Sequence, residues 1–111
     1  MSFLKLKEIK KSLESIPEIK NKVAYYSFRR AKSTPYCIYY RASTSDIGTD
    51  NFPANLKEQE IIIELYTSKI DEELEQKVEK LFVGFDLEKS ETWIEETDEY
   101  LIKYSFTQFI K

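Results

Sequence analysis

The side chains best suited to chemistry lie in one short segment, FRRAKSTPYCIYYRAS, residues 28–43. It contains the only cysteine, Cys37, together with Arg29, Arg30 and Arg41. A nearby arginine favours the nucleophilic thiolate form of a cysteine. Such nucleophiles are usually activated by a partner base, most often histidine, and the chain has no histidine. We therefore expect Cys37 to be a small packing residue of a strand rather than a catalytic residue.

The composition argues against other kinds of catalytic site as well. Without histidine, His-dependent triads, His-containing zinc sites and the commonest general base are excluded. The only two glycines, Gly48 and Gly84, are 36 residues apart and cannot form a phosphate-binding glycine loop. The sequence predicts a protein that is not an enzyme, with no catalytic residue, no cofactor and no metal ligand.

An acidic group near the C-terminus leaves two interpretations. The group consists of Glu95, Glu96, Asp98 and Glu99. These residues could bind a cation or act as paired carboxylates. They could equally form a solvated turn between two strands. The solvated turn is favoured, because a high density of carboxylates does not by itself create a coordination geometry.

A basic loop flanked by aromatic residues is the third candidate. The loop contains Arg29, Arg30 and Lys32, and the flanking rings are Tyr25, Tyr26, Phe28 and Tyr36. Single-stranded nucleic acids bind to cationic grooves with stacking rings of this kind. Alternating aromatic residues are, however, more often part of a core or of cross-strand pairs.

The two parts of the chain carry opposite charge. Residues 1–41 contain ten Lys/Arg and three Asp/Glu, whereas residues 42–111 contain seven Lys/Arg and seventeen Asp/Glu. This asymmetry is compatible with a nucleic-acid-binding face, although the acidic part would repel phosphates. It is also compatible with complementary faces that meet between copies of the chain, or with neutralisation inside one copy.

Hydrophobic periodicity predicts the elements that position these residues. Leu6, Ile9, Leu13 and Ile16 form one stripe of a helix over residues 3–15, which Pro17 ends. Residues 22–28 and 36–42 are predicted strands, joined most simply as a hairpin. Residues 43–55 are predicted to be a long loop, and loops of this length are often functional.

The second half is predicted to contain a strand, a helix and two more strands. The strand covers residues 60–67, with Ile61, Ile63 and Leu65 on one face and Ile62, Glu64 and Tyr66 on the other. The helix covers residues 68–85, with Ser68 and Asp71 as a capping box, Gly84 at its end and a buried stripe of Ile70, Leu74, Val78, Leu81 and Phe82. Two final strands flank a turn at Thr97 and Asp98.

The element order is therefore α-β-β-β-α-β-β, which is an α+β fold with a mainly antiparallel sheet packed by two helices. The length of 111 residues predicts one domain over residues 1–111. No apolar run approaches the ~20 residues of a membrane span. A single cysteine suits a reducing compartment.

Three segments together resemble a family of small structural proteins of tailed bacteriophages and prophages. They are TPYCIYYRASTSDIGTDN at 34–51, EIIIELYTSKIDEELEQKVEKLF at 60–82 and TWIEETDEYLIKYSF at 92–106. The common pattern is a tyrosine strand that follows a proline, an SD…DN loop, an IELYT strand, an acidic helix and an acidic hairpin that ends in EY.IKY.F. Residues 17–110 take part in the resemblance, whose specificity comes from the order and spacing of these short motifs.

The resemblance implies a tail-completion, tail-terminator or minor tail protein of the neck, with no catalytic motif. Such a protein takes part in virion assembly: it caps the tail tube as a ring, commonly a hexamer, and joins it to the head. The implied partners are other copies, the tail tube protein and a head-completion or connector protein, without membrane or nucleic acid. The implied location is the virion tail or neck, after assembly in the bacterial cytoplasm.

The residues expected at the protein interface are those of the basic loop and of the long loop: Arg29, Arg30, Lys32, Asp46, Asp50, Asn51 and Phe52. The resemblance does not separate a terminator from a neighbouring neck protein. The alternative function is a small nucleic-acid-binding or regulatory module that uses the basic, aromatic N-terminal half.

Overall fold

The computed structural model describes residues 4–30, 32–47 and 56–110. Within these ranges, two α-helices and five strands follow one another in the predicted order. They are α1 (Leu6–Glu14), β1 (Val23–Tyr25), β2 (Tyr36–Ile47), β3 (Leu56–Thr67), α2 (Glu72–Leu81), β4 (Glu88–Ile94) and β5 (Glu99–Ile110), with a short 3₁₀ turn at Pro17–Ile19 after α1. In the described part of the chain, no helix combines the length and the apolar character needed to cross a membrane.

All five strands form one sheet in the order β1-β2-β3-β5-β4. The pairs β2–β3, β3–β5 and β5–β4 are antiparallel, and only β1–β2 is parallel. The predicted α+β fold with a mainly antiparallel sheet is therefore confirmed. Strands β2, β3 and β5 are long, at 12 residues each, and they form the centre of the sheet.

Both helices pack on the same face of this sheet. Alternate residues of the central strands point towards them, so that Ile61, Ile63 and Leu65 of β3 are buried. The helices contribute Ile9 and Leu13 of α1 and Leu74, Val78 and Phe82 of α2 and its C-cap. The stripe predicted for α1 and the two-sided pattern predicted for β3 are both confirmed. Burial of these apolar side chains supplies the main driving force for folding.

Helix α2 begins later than predicted. Its N-cap is Asp71, whose carboxylate accepts a 3.1 Å hydrogen bond from the Leu74 amide, so the proposed capping box at Ser68 is wrong. Ile70 precedes the helix and is 43% exposed, so its assignment to the buried stripe is also wrong. Asp71 satisfies a free amide of the first turn on its own and so determines where the helix begins. The helix also ends earlier than predicted, at Leu81 instead of residue 85, and Gly84, at φ +97°, lies in the turn that follows it.

The predicted hairpin between the first two strands is wrong. Val23 pairs with Cys37 and Tyr25 with Tyr39, which makes β1 and β2 parallel. The segment after β1 therefore crosses back to the start of β2 instead of turning tightly. Its ten residues, 26–35, are long enough to make this return, whereas a tight hairpin needs only a few.

The predicted loop at 43–55 is wrong for its first five residues. Strand β2 continues to Ile47, and Ser43 to Ile47 pair with Glu60 to Leu56 of β3. A register shift between Arg41 and Ser43 interrupts the ladder where the polar residues begin. Backbone pairing with residues 56–60 of β3, a strand that β5 holds on its other side, outweighs the turn propensity of serine and threonine here. Residues 48–55 lie outside the described residues.

Candidate protein-interaction surface

The sheet face opposite the helices is the main candidate surface. No helix in the described ranges 4–30, 32–47 and 56–110 lies on it. We call it the open face, and its central residues are Tyr36, Ile38, Tyr40, Ile62, Glu64, Tyr66, Leu101 and Lys103. Ile62 on this face is only 4% exposed although none of the described helices covers it. The centre of the open face is therefore mainly aromatic and apolar, with the charged Glu64 and Lys103 among these groups.

Glu64 lies at the centre of the open face and binds two tyrosines. Its Oε2 accepts a 3.0 Å hydrogen bond from the Tyr40 hydroxyl, and its Oε1 accepts a 2.9 Å bond from the Tyr66 hydroxyl. Burial and the hydrogen bond to Glu64 raise the pKa of Tyr40 to about 12. The same two causes raise the pKa of Tyr66. Both phenols therefore remain neutral donors, and the carboxylate orients the two rings.

Stacked rings extend this cluster along the sheet. Tyr36 stacks on Tyr66 with ring centroids 4.7 Å apart, and Phe28 meets Tyr36 edge to face at 5.8 Å. Tyr26 stacks on Tyr40 at 5.0 Å, and its hydroxyl donates a 3.1 Å hydrogen bond to the Arg41 carbonyl. Aromatic pairs of this kind contribute roughly 0.5–1.5 kcal/mol beyond their buried area.

Tyr26 also has an unusual backbone. Its φ of +66° lies in the left-handed region, which residues with a side chain rarely adopt. The residue is nevertheless 56% exposed, so core packing does not hold it in place. The stack on Tyr40 and the bond to the Arg41 carbonyl offset the strain. This strained, exposed ring marks the β1 edge of the open face as a candidate contact region.

One end of the open face is a groove with basic residues. Its volume is about 300 Å³, and it is lined by Phe28, Arg30, Lys32, Tyr36, Ile38, Thr97 and Glu99. The Lys32 ammonium lies 5.8 Å from the centre of the Phe28 ring, within cation–π range. The Tyr36 hydroxyl points to Glu99 at 3.5 Å, and burial, followed by the Glu99 charge, raises the pKa of Tyr36. We call this region the basic end.

The opposite end of the same face is acidic. A groove of about 380 Å³ is lined by Glu58, Glu60, Asp86, Glu88, Ser105, Phe106, Thr107 and Phe109. Phe109 is 47% exposed there. Within the described residues, no group of three or more acidic or cysteine side chains has the arrangement of a metal site. Glu58 lies at this acidic end, and Tyr66 pairs with Tyr36 of the basic end. The eight residue steps between them along β3, at about 3.3 Å each, separate the two ends by about 26 Å.

The structure brings together part of the predicted interface. Arg30 and Lys32 line the basic end, while Arg29 is exposed outside the groove lining. Asp46 lies in β2, opposite Lys57, and its side chain is outside the described residues. Asp50, Asn51 and Phe52 are also outside the described residues, so their predicted role stays a prediction.

The remaining candidate residues lie apart from the open face or remain solvated. Cys37 is fully buried on the helix side, and burial raises the pKa of its thiol, which agrees with a packing role. Glu95, Glu96 and Asp98 are exposed in the turn between β4 and β5, as expected for a solvated tip. Glu99 alone of this acidic group reaches the basic end.

Sequence reasoning missed the importance of Glu64, Tyr40 and Tyr66. The alternation of EIIIELYT indicated that Glu64 and Tyr66 share a face. Placing Tyr40 beside them requires the β2–β3 register, in which Tyr40 pairs with Ile62, one step from Glu64 on the same face. The sequence signal for this cluster was a carboxylate followed two residues later by a tyrosine within an otherwise apolar strand, Glu64 and Tyr66.

Comparison of the chain with models of known protein families and with curated proteins found no match. The open face, its charged ends and the sequence resemblance described above are therefore the basis for assigning a role.

Proposed function

We propose that this protein is a structural tail-completion protein of a tailed bacteriophage or prophage. In this role it caps the tail tube as a ring and joins the tube to the head. The phage context comes from the resemblance of residues 17–110. The observation that carries the assembly role is the open face, where Glu64 holds Tyr40 and Tyr66 in a preformed aromatic surface.

A preformed surface suits association between proteins. Ordering side chains at an interface costs free energy, and rings already fixed by hydrogen bonds and stacking avoid much of that cost. Tyrosine is also enriched among residues that dominate binding energies. The open face combines Tyr36, Tyr40 and Tyr66 with the apolar Ile38 and Leu101, all of them partly exposed.

The charged regions provide contacts for a ring. A closed ring uses heterologous contacts, in which one surface of a copy meets a different surface of the next. We propose that Arg29, Arg30 and Lys32 contact carboxylates of a neighbouring copy or of the tail tube protein. The acidic end, with Glu60 and Glu88, is one surface that fits them.

Deletion of the gene from the phage or prophage that encodes it tests this function. The tails produced should be headless and should vary in length by electron microscopy, because their tubes lack a cap. Supplying the wild-type gene on a plasmid should restore tails of uniform length joined to heads. Infectious particles with normal tails after deletion would contradict the proposal.

A nucleic-acid-binding module is the second candidate, and one observation favours it. Arg30 and Lys32 share a groove with Phe28 and Tyr36, which are half-buried. However, Glu99 lines the same groove, and the exposed lysines Lys7, Lys10 and Lys11 are on α1, on the other side of the sheet. Binding to a single-stranded oligonucleotide that weakens steeply with salt would favour this candidate.

A further inference from the structure

We propose that two copies of the chain pair through their open faces, with the basic end of each copy against the acidic end of the other. The inference rests on the proposed use of the open face in assembly, but it does not depend on the phage context. The occupant of the open face is thus a second copy of this chain, bound in solution before any tail is present.

The first argument is the location of the charges. Arg30 and Lys32 lie at one end of the open face, and Glu58, Glu60 and Glu88 lie at the other end of the same face. The two groups are separated along the strands by about 26 Å. Glu99 at the basic end and the exposed Glu95, Glu96 and Asp98 of the adjoining β4–β5 turn reduce the positive charge there, but Glu99 also accepts the hydrogen bond of the Tyr36 hydroxyl, and Arg30 and Lys32 line the groove itself.

The second argument is symmetry. When two such faces are placed against each other and related by a two-fold axis that lies between them and runs perpendicular to the strands, each basic end meets an acidic end. Both charge pairs form at once in one isologous contact. A head-to-tail contact satisfies only one pair per interface. Charge complementarity of this kind selects the orientation and the partner more than it sets the affinity.

The third argument is the apolar centre. Between the charged ends lie Tyr40, Ile62 and Tyr66, with Leu101 beside them, and the two phenols already have their hydrogen-bond acceptor in Glu64. Their burial therefore leaves no phenol without a partner. The Lys103 side chain lies beside Glu64 in register and supplies a cation near the centre of the face.

The fourth argument is the area of the face. Four strands about 4.8 Å apart and a length of about 26 Å correspond to about 500 Å² per copy, or about 1,000 Å² for two. This value lies at the lower limit for specific interfaces and is typical of weak, transient pairs. We therefore expect a reversible dimer. Because the dimer uses the same charges as the proposed ring, it must dissociate before ring formation, which keeps free chains from forming rings away from the tail.

The test is light scattering of the purified full chain from about 5 to 500 µM, a range that covers weak association. The mass should rise from that of the 13.2 kDa monomer towards twice this value as concentration increases. The variant R30E/K32E should raise the dimer dissociation constant by more than about tenfold, because like charges then meet. The matched control K10E/K11E makes the same change in charge on exposed residues of α1 and should leave the constant unchanged.

Mixing two variants provides a second, independent measurement. E60K/E88K should also lose the dimer, but an equimolar mixture with R30E/K32E should regain it, since every contact in the mixed pair joins opposite charges. The milder E60Q/E88Q variant replaces it if E60K/E88K fails to fold, and should itself weaken the dimer. A monomeric or ring-sized mass at every concentration, or equal loss with K10E/K11E, would overturn the proposal. The gene-deletion phenotype does not depend on this result, so the two proposals fail separately.

Discussion

The Tyr66 hydroxyl donates a 2.9 Å hydrogen bond to the carboxylate of Glu64, two residues earlier on the same strand. The other oxygen of this carboxylate accepts from Tyr40 on the neighbouring strand at 3.0 Å. One acidic side chain thus fixes two aromatic rings on the open face of the sheet. This relationship holds both rings in place on the open face, and it has a measurable pH dependence.

The substitution Glu64→Gln should lower the pKa of Tyr40 and Tyr66. The pKa of Tyr40 is about 12 in the folded protein, because of burial and the bond to Glu64, against about 10 in the unfolded chain. A raised folded pKa stabilises the protein fully below pH 10, and this stability is lost as pH rises from about 10 to 12. Removing the carboxylate charge should make that loss shallower. Tyrosinate absorbance and thermal unfolding across this range measure both effects.

The control for this prediction is Glu91→Gln, which removes a charge from an exposed residue of β4 whose side chain points to the helix side of the sheet. Its tyrosinate titration should match that of the wild type. If the Glu64→Gln and wild-type titrations coincide, Glu64 does not act on these phenols in solution.

The ion pair between Lys89 and Glu75 should contribute more to stability than the exposed pair between Lys77 and Glu18. Lys89 approaches Glu75 at 2.7 Å and Glu79 at 2.9 Å, and the Glu75 side chain is only 7% exposed. Lys89→Met leaves this carboxylate in a buried place without its cation, which should lower the free energy of unfolding by about 1–3 kcal/mol. Lys77→Met should lower it much less, because solvent screens an exposed ion pair.

Urea denaturation of both variants measures this difference. Lys77 and Glu18 are 2.6 Å apart, with side chains 47% and 36% exposed. The N···O distances of the two ion pairs are similar and their burial differs, so the comparison tests the energetic effect of burial. Equal losses for the two variants would show that the burial of Glu75 has no energetic consequence.

Gln108 should anchor the N-terminal segment to the sheet. Its Oε1 accepts a 3.0 Å bond from the Leu4 amide, and its Nε2 donates to the Leu4 carbonyl at 2.9 Å and to Gln59 Oε1 at 3.1 Å. Gln108→Leu should lower the free energy of unfolding by about 1–3 kcal/mol, because buried polar groups lose their partner. Hydrogen exchange of the Leu4 amide should become much faster.

The matched control is Gln76→Leu, the same substitution at an exposed site of α2. It should leave both the stability and the Leu4 exchange rate close to those of the wild type. Unchanged Leu4 exchange in Gln108→Leu would contradict the anchoring role.

Cys37 should react with a thiol reagent only after unfolding. Its side chain is fully buried, and burial raises the pKa of the thiol, so little thiolate forms and no reagent reaches it. The rate of reaction with an aromatic disulfide reagent should follow the fraction of unfolded protein across a denaturant series. Rapid reaction in native buffer would reopen the interpretation of Cys37 as a reactive thiol.

The element types could be predicted from the sequence because their periodicities are strong. The stripe of Ile9 and Leu13 and the alternation of Ile61, Ile63 and Leu65 correspond to buried positions in the structure. Local sequence signals predicted the start of α2 less well, because two possible N-cap residues compete there. Ser68 is an acceptable N-cap, but Asp71 is closer in sequence to Leu74, the first buried residue of the helix, and caps the helix instead.

The errors in topology and in the site have a common physical cause. The direction of β1 and the continuation of β2 past Arg41 depend on pairing with distant residues, which the local sequence does not encode. The open face depends on both helices packing on one side of the sheet. The sequence led to the prediction that Arg30 and Lys32 lie at an interface, but it did not reveal that they share a face with Tyr40, Glu64 and Tyr66.

The most direct test of the central claim is electron microscopy of uncapped tail tubes mixed with the purified protein. Tubes from the gene-deleted phage should acquire a ring at one end with wild-type protein and with the control K7A/K10A/K11A, whose changes are on exposed residues of α1. The variant R29A/R30A/K32A, with the same loss of charge at the basic loop, should leave the tubes bare. Bare tubes with wild-type protein, or equal capping by the basic-loop variant, would contradict the account.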